Sequence, residues 1–391
     1  MTVAATLGQP GQCRRSRPSL PGAGAVPGRP RRLTRRGYAP GMRTPLLVLA
    51  LAVLPACLRP ATPSHAPAGT GLELPGERHL RNVKQLSLGR ENAEAYFSFD
   101  GRELVFQSTR DGRGCDQLYA MGMDGSRSRM LSSGKGAVTC GYFFPDGSRL
   151  LFSSTHAAGP GCPPRPDLSQ GYVWALHDYQ LYTVRPDGTD LMPLSPAPGY
   201  NAEATISRDG WVVFTSTRDG DLDLYKMRLD GSGLTRLTDA PGYDGGAFFS
   251  SDGRRVVFRA SRPSTEAELA DYRGLLARRL VRPRQLEIFV MDADGKGVRQ
   301  VTRLGAASFA PFFAPGDRRI IFASNHGDPR GRNFDLYLVD DDGGGLERVT
   351  ANETFDGFPM FSPDGRRLVF ASNRNGSRPG ETNIFVADWV E

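Results

Sequence analysis

The chain has 391 residues, 39% of them hydrophobic, enough to bury a sizeable core as one large domain or two ordinary ones. Its formal charge of +7 and pI near 9.3 would suit an acidic partner, but the excess is local. Residues 1–57 hold nine arginines and no acid, which leaves 40 basic and 42 acidic residues elsewhere and excludes an electrostatic case for nucleic acid.

Residues 1–41 are Pro/Gly/Arg-rich and read as a disordered or mis-started extension. Within them "RRLTRR" lacks the apolar run that a twin-arginine signal needs directly after it. Met42-Arg43 and the following "TPLLVLALAVLPAC" form a signal peptide over 42–57, too short and wrongly flanked for a spanning helix. Leu54-Pro55-Ala56-Cys57 resembles the bacterial lipobox, so Cys57 is expected to carry a lipid, the chain's one link to the membrane. Residues 58–77, "LRPATPSHAPAGTGLELPGE", have no periodicity and read as a flexible Pro-rich tether. One domain is expected over 78–391.

That domain repeats a phrase six times, from "FSFDGRELVFQSTR" to "FSPDGRRLVFASNR". Each copy carries four short alternating runs, called strands a to d. Asp-Gly pairs between them predict type I′ hairpins, in which both central residues need φ > 0. Such pairs recur at Asp100, Asp146, Asp209, Asp252 and Asp364, inverted at Gly316-Asp317. A second set, Asp124, Asp187, Asp230, Asp294 and Asp342, joins c to d. This spacing makes them turn residues and not catalytic acids. Phe106, Phe152, Phe214, Phe258, Phe322 and Phe370 recur in strand b; Tyr119, Tyr182, Tyr225, Phe289, Tyr337 and Phe385 recur in strand c. Once-per-copy aromatics are expected to pack between blades.

Four-stranded units that cannot bury both faces alone can do so around an axis, which predicts an all-β, six-bladed β-propeller. The last copy stops after its third strand, and "NVKQLSLG" (Asn82–Gly89) matches the fourth-strand phrase "VRQVTRLG". The N-terminal strand should therefore complete blade 6 and close the ring. The "SPDG" turn, the "LVFASNR" strand and the "LYxxxxDG" hairpin resemble the repeats of TolB-type β-propellers from about Asn82 to Glu391. "FDGFPMFSPDG" and "GPGCPPRPDLSQGYVW" look like a stand-alone branch of envelope lipoproteins of unknown function. The resemblance implies a fold and no reaction, since the family spans interaction proteins, peptidase propellers and polysaccharide lyases.

In a meander the b–c and d–a loops share one face and the Asp-Gly hairpins the other. The long b–c loops of blade 2 (156–179) and blade 4 (262–285) make the loop face the expected binding surface. Thr265 and Glu268 predict a capped helix over 265–280, its stripe Leu269, Tyr272, Leu276 and Leu280 packing on the rim. Strand b ends in Arg110, His156, Arg218, Arg262, His326 and Arg374. Strand a begins with Glu94, Cys140, Glu203, Gly246, Ala310 and Phe358 in register, with Asn92, Asn201, Asp244 and Asp356 two positions earlier. Two arrangements fit: salt bridges tying blades together, or a polar funnel with acids at its mouth. Tyr172, Trp174 and Phe358 would add apolar contact, while the short hairpins opposite would offer a partner little.

Glu94, Glu203 and His156 are the candidates for a divalent metal, without metal-specific spacing; otherwise no cofactor is expected. Asp219, Asp221 and Asp223 have the spacing either to chelate calcium or to form a solvated loop, and read as the loop. Cys115 and Cys140 are the expected disulfide pair in an oxidising envelope, with Cys162 left over. The leading reading is a non-catalytic, monomeric lipoprotein of the bacterial envelope, in the periplasm or on the outer membrane. It would bind an envelope protein, or a polysaccharide or peptidoglycan-associated partner. The alternative is a metal-dependent lyase or hydrolase acting on a polyanionic glycan, with His156 or His326 at work and Arg110, Arg218 and Arg374 as anion contacts.

Overall fold

The computed structural model describes residues 71–391 except 170, 195 and 329; residues 1–41, the signal 42–57 with Cys57, and most of the tether lie outside the described residues. Six four-stranded antiparallel sheets surround one axis as a β-propeller. In order a to d, blade 1 is Asn92–Phe97, Glu103–Ser108, Gln117–Gly122 and Arg129–Met130; blade 2 is Val138–Phe143, Leu150–Ser154, Gln180–Val184 and Met192–Pro193. Blade 3 is Asn201–Ile206, Trp211–Ser216, Asp223–Arg228 and Thr235–Arg236; blade 4 is Asp244–Phe249, Arg255–Ala260, Glu287–Asp292 and Arg299–Gln300. Blade 5 is Ser308–Phe313, Arg319–Ser324, Asp335–Asp340 and Glu347–Arg348. Blade 6 is Asp356–Phe361, Arg367–Ser372 and Asn383–Trp389, with Leu80–Gln85 as its strand d. Leu80 pairs with Trp389 and Gln85 with Phe385, so the N-terminal strand closes the ring as expected.

The hairpins correct one expectation. In Ser98-Phe99-Asp100-Gly101 the Gly101 amide donates to the Ser98 carbonyl at 2.8 Å, and only Gly101 has positive φ. Asp100 instead spends its carboxylate on the Ser98 hydroxyl and the Arg102 amide. The turn is therefore type I followed by a left-handed glycine, not type I′. Gly147, Gly210, Gly253 and Gly365 repeat it; blade 5 differs, with both Gly316 and Asp317 at positive φ. The recurrent aromatics are cross-strand partners within one blade, such as Phe106 opposite Tyr119 with ring centroids 5.8 Å apart. They belong to each blade first, because strands b and c place them directly opposite.

The helix spans Glu266–Leu276, and both halves of the Thr265–Glu268 capping box are present. Its buried face is Tyr272 and Leu275, not the full stripe expected, and Leu280 lies beyond it in a short strand. Tyr272 donates its hydroxyl to Asp221, which fixes the helix against blade 3.

Residues 72–77 were expected in the tether but pack on blade 6. Glu77 accepts from the Leu74 and Ala351 amides and from both terminal nitrogens of Arg374, at 2.8–3.1 Å. Arg374 also holds Asp356 at 3.0 Å and donates to the Leu72 carbonyl at 3.2 Å. A guanidinium only 4% exposed needs that second carboxylate, which draws the domain boundary upstream of residue 78. Arg374→Met would leave two carboxylates facing each other in the interior. Urea unfolding of that variant is expected to show a loss of about 3–5 kcal/mol; a loss under about 1 kcal/mol would make the cluster no stronger than a surface pair.

Candidate functional site

The six residues expected in register at the start of strand a do converge on the axis. Glu94, Cys140, Glu203, Gly246, Ala310 and Phe358 all have φ between 50° and 60°. Each sits in a register shift between strands a and b, as between Ala93 and Tyr96 in blade 1. Such a bulge turns the residue out of the ladder and toward the centre. Glu94 accepts from the Cys140 amide at 3.1 Å, and Glu203 from the Gly246 amide at 2.8 Å. These acids therefore tie blade 1 to blade 2 and blade 3 to blade 4.

They do not form an open polar mouth. The six residues surround an axial void of about 30 Å³ that is lidded by Trp174. Glu203 is saturated: it also accepts from the Tyr200, Tyr243 and Thr215 hydroxyls and pairs with Arg259 at 2.6 Å. Arg259 lies 5.3 Å from the Tyr243 ring and 5.4 Å from the Trp174 ring, so it props the lid. Burial alone would lower its pKa, but the Glu203 carboxylate more than reverses that and keeps it charged. Burial, then the Glu94 and Glu203 charges, pushes the Cys140 thiol well up, so it stays protonated and unreactive. Sequence reading passed over Arg259, although one signal marked it. Its position after the strand-b phenylalanine holds Gln107, Ser153, Thr215, Ala323 or Ala371 in the other blades.

The cations ending strand b neither tie blades together nor line the axis. All but His326, which is exposed at the loop face, fold back on their own blade. Arg110 lies 4.7 Å over Phe106 and donates to Asn92 at 3.1 Å; Arg218 lies 4.8 Å over Tyr225 and donates to Asn201 at 3.2 Å. Arg262 pairs with the buried Asp244 at 2.7 Å, and Arg374 with Asp356. His156 contacts the Tyr182 ring at 4.2 Å and bonds Ser154 at 2.8 Å. Arg110, Arg218 and Arg374 are thus committed within their own blades. Glu94, Glu203 and His156 are likewise occupied separately, and no group of three or more potential metal ligands occurs among the described residues. Nor do the blade 3 aspartates form a site: Asp219 accepts from Tyr225, Asp221 from Tyr272, and Asp223 pairs with Arg236.

The long loops meet. Trp174–Ala175 of the blade 2 loop pairs with Leu280–Val281 of the blade 4 loop, a strap over the axis built from blades two apart. Cys115 bonds Cys162, not Cys140, because the blade 2 loop returns to the start of blade 1 strand c. Cys140 points to the axis and stays free. Beside the strap lies a loop-face cavity of about 590 Å³ that unites the expected Tyr172, Trp174 and His326. Arg282, Arg284, Phe309 and Phe334 also line it, none of them singled out by the sequence. The hairpin face is less bare than expected. The inner-strand ends line a bowl of about 360 Å³ there, with Phe97, Phe99, Tyr142, Phe249, Phe312 and Phe361.

Fold and site together define a six-bladed β-propeller with a strapped loop face. In fold the chain is similar to a protein described as a TolB from Agrobacterium tumefaciens, at 20% identity over 77% of this chain and 91% of that one, with a TM-score of 0.52. TolB from Acinetobacter baumannii is 17% identical over 76% of this chain and 64% of that one, with a TM-score of 0.51. A gluconolactonase from Xanthomonas campestris is 15% identical over 85% of this chain and 99% of that one, with a TM-score of 0.53. No family model and no curated protein matches the chain. At such identities the likeness concerns the fold, which serves binding proteins and enzymes alike.

Burial at the blade 3–4 junction raises Asp244 to about 7, against the opposing pull of Arg262, and Asp223 to about 6, against Arg236. A carboxyl whose pKa is raised on folding favours the fold when protonated, and this contribution is lost as pH rises through the folded value. Acidification from pH 8 towards 5 is therefore expected to raise the urea midpoint. Asp244→Asn should flatten that slope; an unchanged slope would show that Asp244 ionises as it does in the unfolded chain.

Proposed function

We propose that the chain is a non-catalytic cell-envelope lipoprotein, anchored by a lipid on Cys57, that binds a protein or an envelope polymer with its loop face. The strap is the observation that carries this reading. Two long loops, paired with each other and fastened to blade 1 by a disulfide, roof the axis and leave a walled cavity beside it. Binding surfaces are commonly such loops held on a rigid scaffold. The envelope assignment draws on the apolar run ending at Cys57, on a disulfide suited to an oxidising compartment, and on the fold shared with TolB proteins.

The lyase or hydrolase reading puts His156 or His326 to work beside a metal, with Glu94, Glu203 and His156 as the candidate ligands. Those residues do not fit one: Glu203 is saturated, Glu94 is spent on blade 2, and His156 rests on Tyr182.

Two experiments test the proposal. In a bacterial host Cys57→Ala is expected to move the protein from the membrane to the soluble fraction; unchanged membrane association would remove the anchor. Once a partner is isolated by pull-down, Tyr172→Ala/His326→Ala should lower its affinity at least tenfold with the melting curve unchanged, about 1.4 kcal/mol or more. Lys226→Ala, against Trp211 and away from the loops, should have no effect. Footprinting that protects only the hairpin side would reverse the assignment of the working face.

A further inference from the structure

Two guanidinium side chains, one imidazole and several aromatic rings line the loop-face cavity. Arg284 reaches it from the blade 4 loop, exposed, its guanidinium without a hydrogen bond or ion pair among the described residues. His326 enters from blade 5 with its amide bonded to Ser324 at 3.2 Å and its ring edge-on to Tyr337. Neither of its ring nitrogens has a partner among the described residues. Arg282 adds a second guanidinium, partly balanced by Asp271 at 3.3 Å. Among the described residues the one carboxylate lining the cavity is Asp328. The amides of Arg330, Asn333 and Arg332 occupy its oxygens at 2.8–2.9 Å and hold its pKa far below the usual carboxylate range.

Tyr172, Phe309 and Phe334 line the same cavity, the last two with ring centroids 5.1 Å apart. The Tyr172 hydroxyl accepts from the Trp174 indole at 3.2 Å, which leaves its own proton available to donate. The open Arg284 guanidinium and the His326 ring, in one cavity with aromatic side chains, suit an anion with an apolar body. A guanidinium fork and one imidazole match the two in-plane oxygens of a carboxylate, whereas the three oxygens of a phosphate call for a larger donor set.

We propose that this cavity binds a small ring-bearing carboxylate, the acid held by Arg284 and His326 and the ring laid against Tyr172 and Phe334. The proposal rests on the loop face being the working face. Its size accords with this, since cavities of roughly 300–1,000 Å³ take ligands of that kind. The full-length protein is to be titrated with benzoate, cyclohexanecarboxylate, benzamide and inorganic phosphate, by calorimetry and by thermal shift. Both acids are expected to bind at concentrations on the order of millimolar or below and to raise the melting midpoint, while benzamide and phosphate do neither. Arg284→Ala and His326→Ala change exposed side chains and should melt like the parent, yet each should weaken benzoate by roughly tenfold or more.

Equal binding of benzamide, competition by phosphate, undiminished binding by both variants, or no binding of either acid would each overturn the proposal. A partner footprint on the loop face with no acid bound would remove the ligand and leave the face. Acids that bind while the footprint lies on the hairpin side would uphold the cavity and remove the face as a partner surface.

Discussion

Six inner-strand residues, one per blade, are held in left-handed backbone, and much of the molecule follows from that constraint. For a residue other than glycine the conformation costs on the order of 1 kcal/mol or more, so it persists only where the surroundings fix it. Here it aims side chains and amides at the axis, where Glu94 and Glu203 each grip the neighbouring blade. Glu203, buried there, is charge-paired by Arg259. Arg259 in turn fills the space where a side chain on residue 246 would stand, which accounts for glycine at that position. The far side of the guanidinium supports Trp174, and Trp174 anchors the strap. A buried charge at the axis is thus what sets the roof of the loop face.

The two faces owe their character to different parts of the chain. On the hairpin side, turns of nearly one design leave the ends of the inner strands uncovered, so their aromatics line an open bowl. On the loop side the insertions cover the axis and move the accessible space outward, toward blade 5. The axis itself is therefore packed on the side with the longest loops and hollow on the side with the shortest.

Features that repeat were legible in the sequence. Strand order, closure by the N-terminal strand and the turn role of the aspartates follow from periods of two within strands and one phrase per blade. The Thr265–Glu268 cap was legible for a local reason, since its partners are three residues apart. Contacts that occur once were not legible. The pairing of Val281 with Trp174 and the bond from Cys115 to Cys162 depend on where long loops travel, which no local pattern records. Register placed the strand-b cations near the mouth but could not say that Arg110 and Arg218 turn back over their own phenylalanine and tyrosine. Arg259 was visible only as a departure from the repeat, and a departure at a buried position is where a repeat protein acquires an individual site.

The seating of Glu77 has a mechanical side. The strand that closes blade 6 is the first of the domain, so any pull transmitted from upstream residues enters the ring there. It meets the Glu77–Arg374 pair before it reaches Leu80–Gln85. That buried ion pair must give way before the strand can be drawn from Asn383–Trp389. The joint where this ring is closed is therefore also the joint that meets such a pull first.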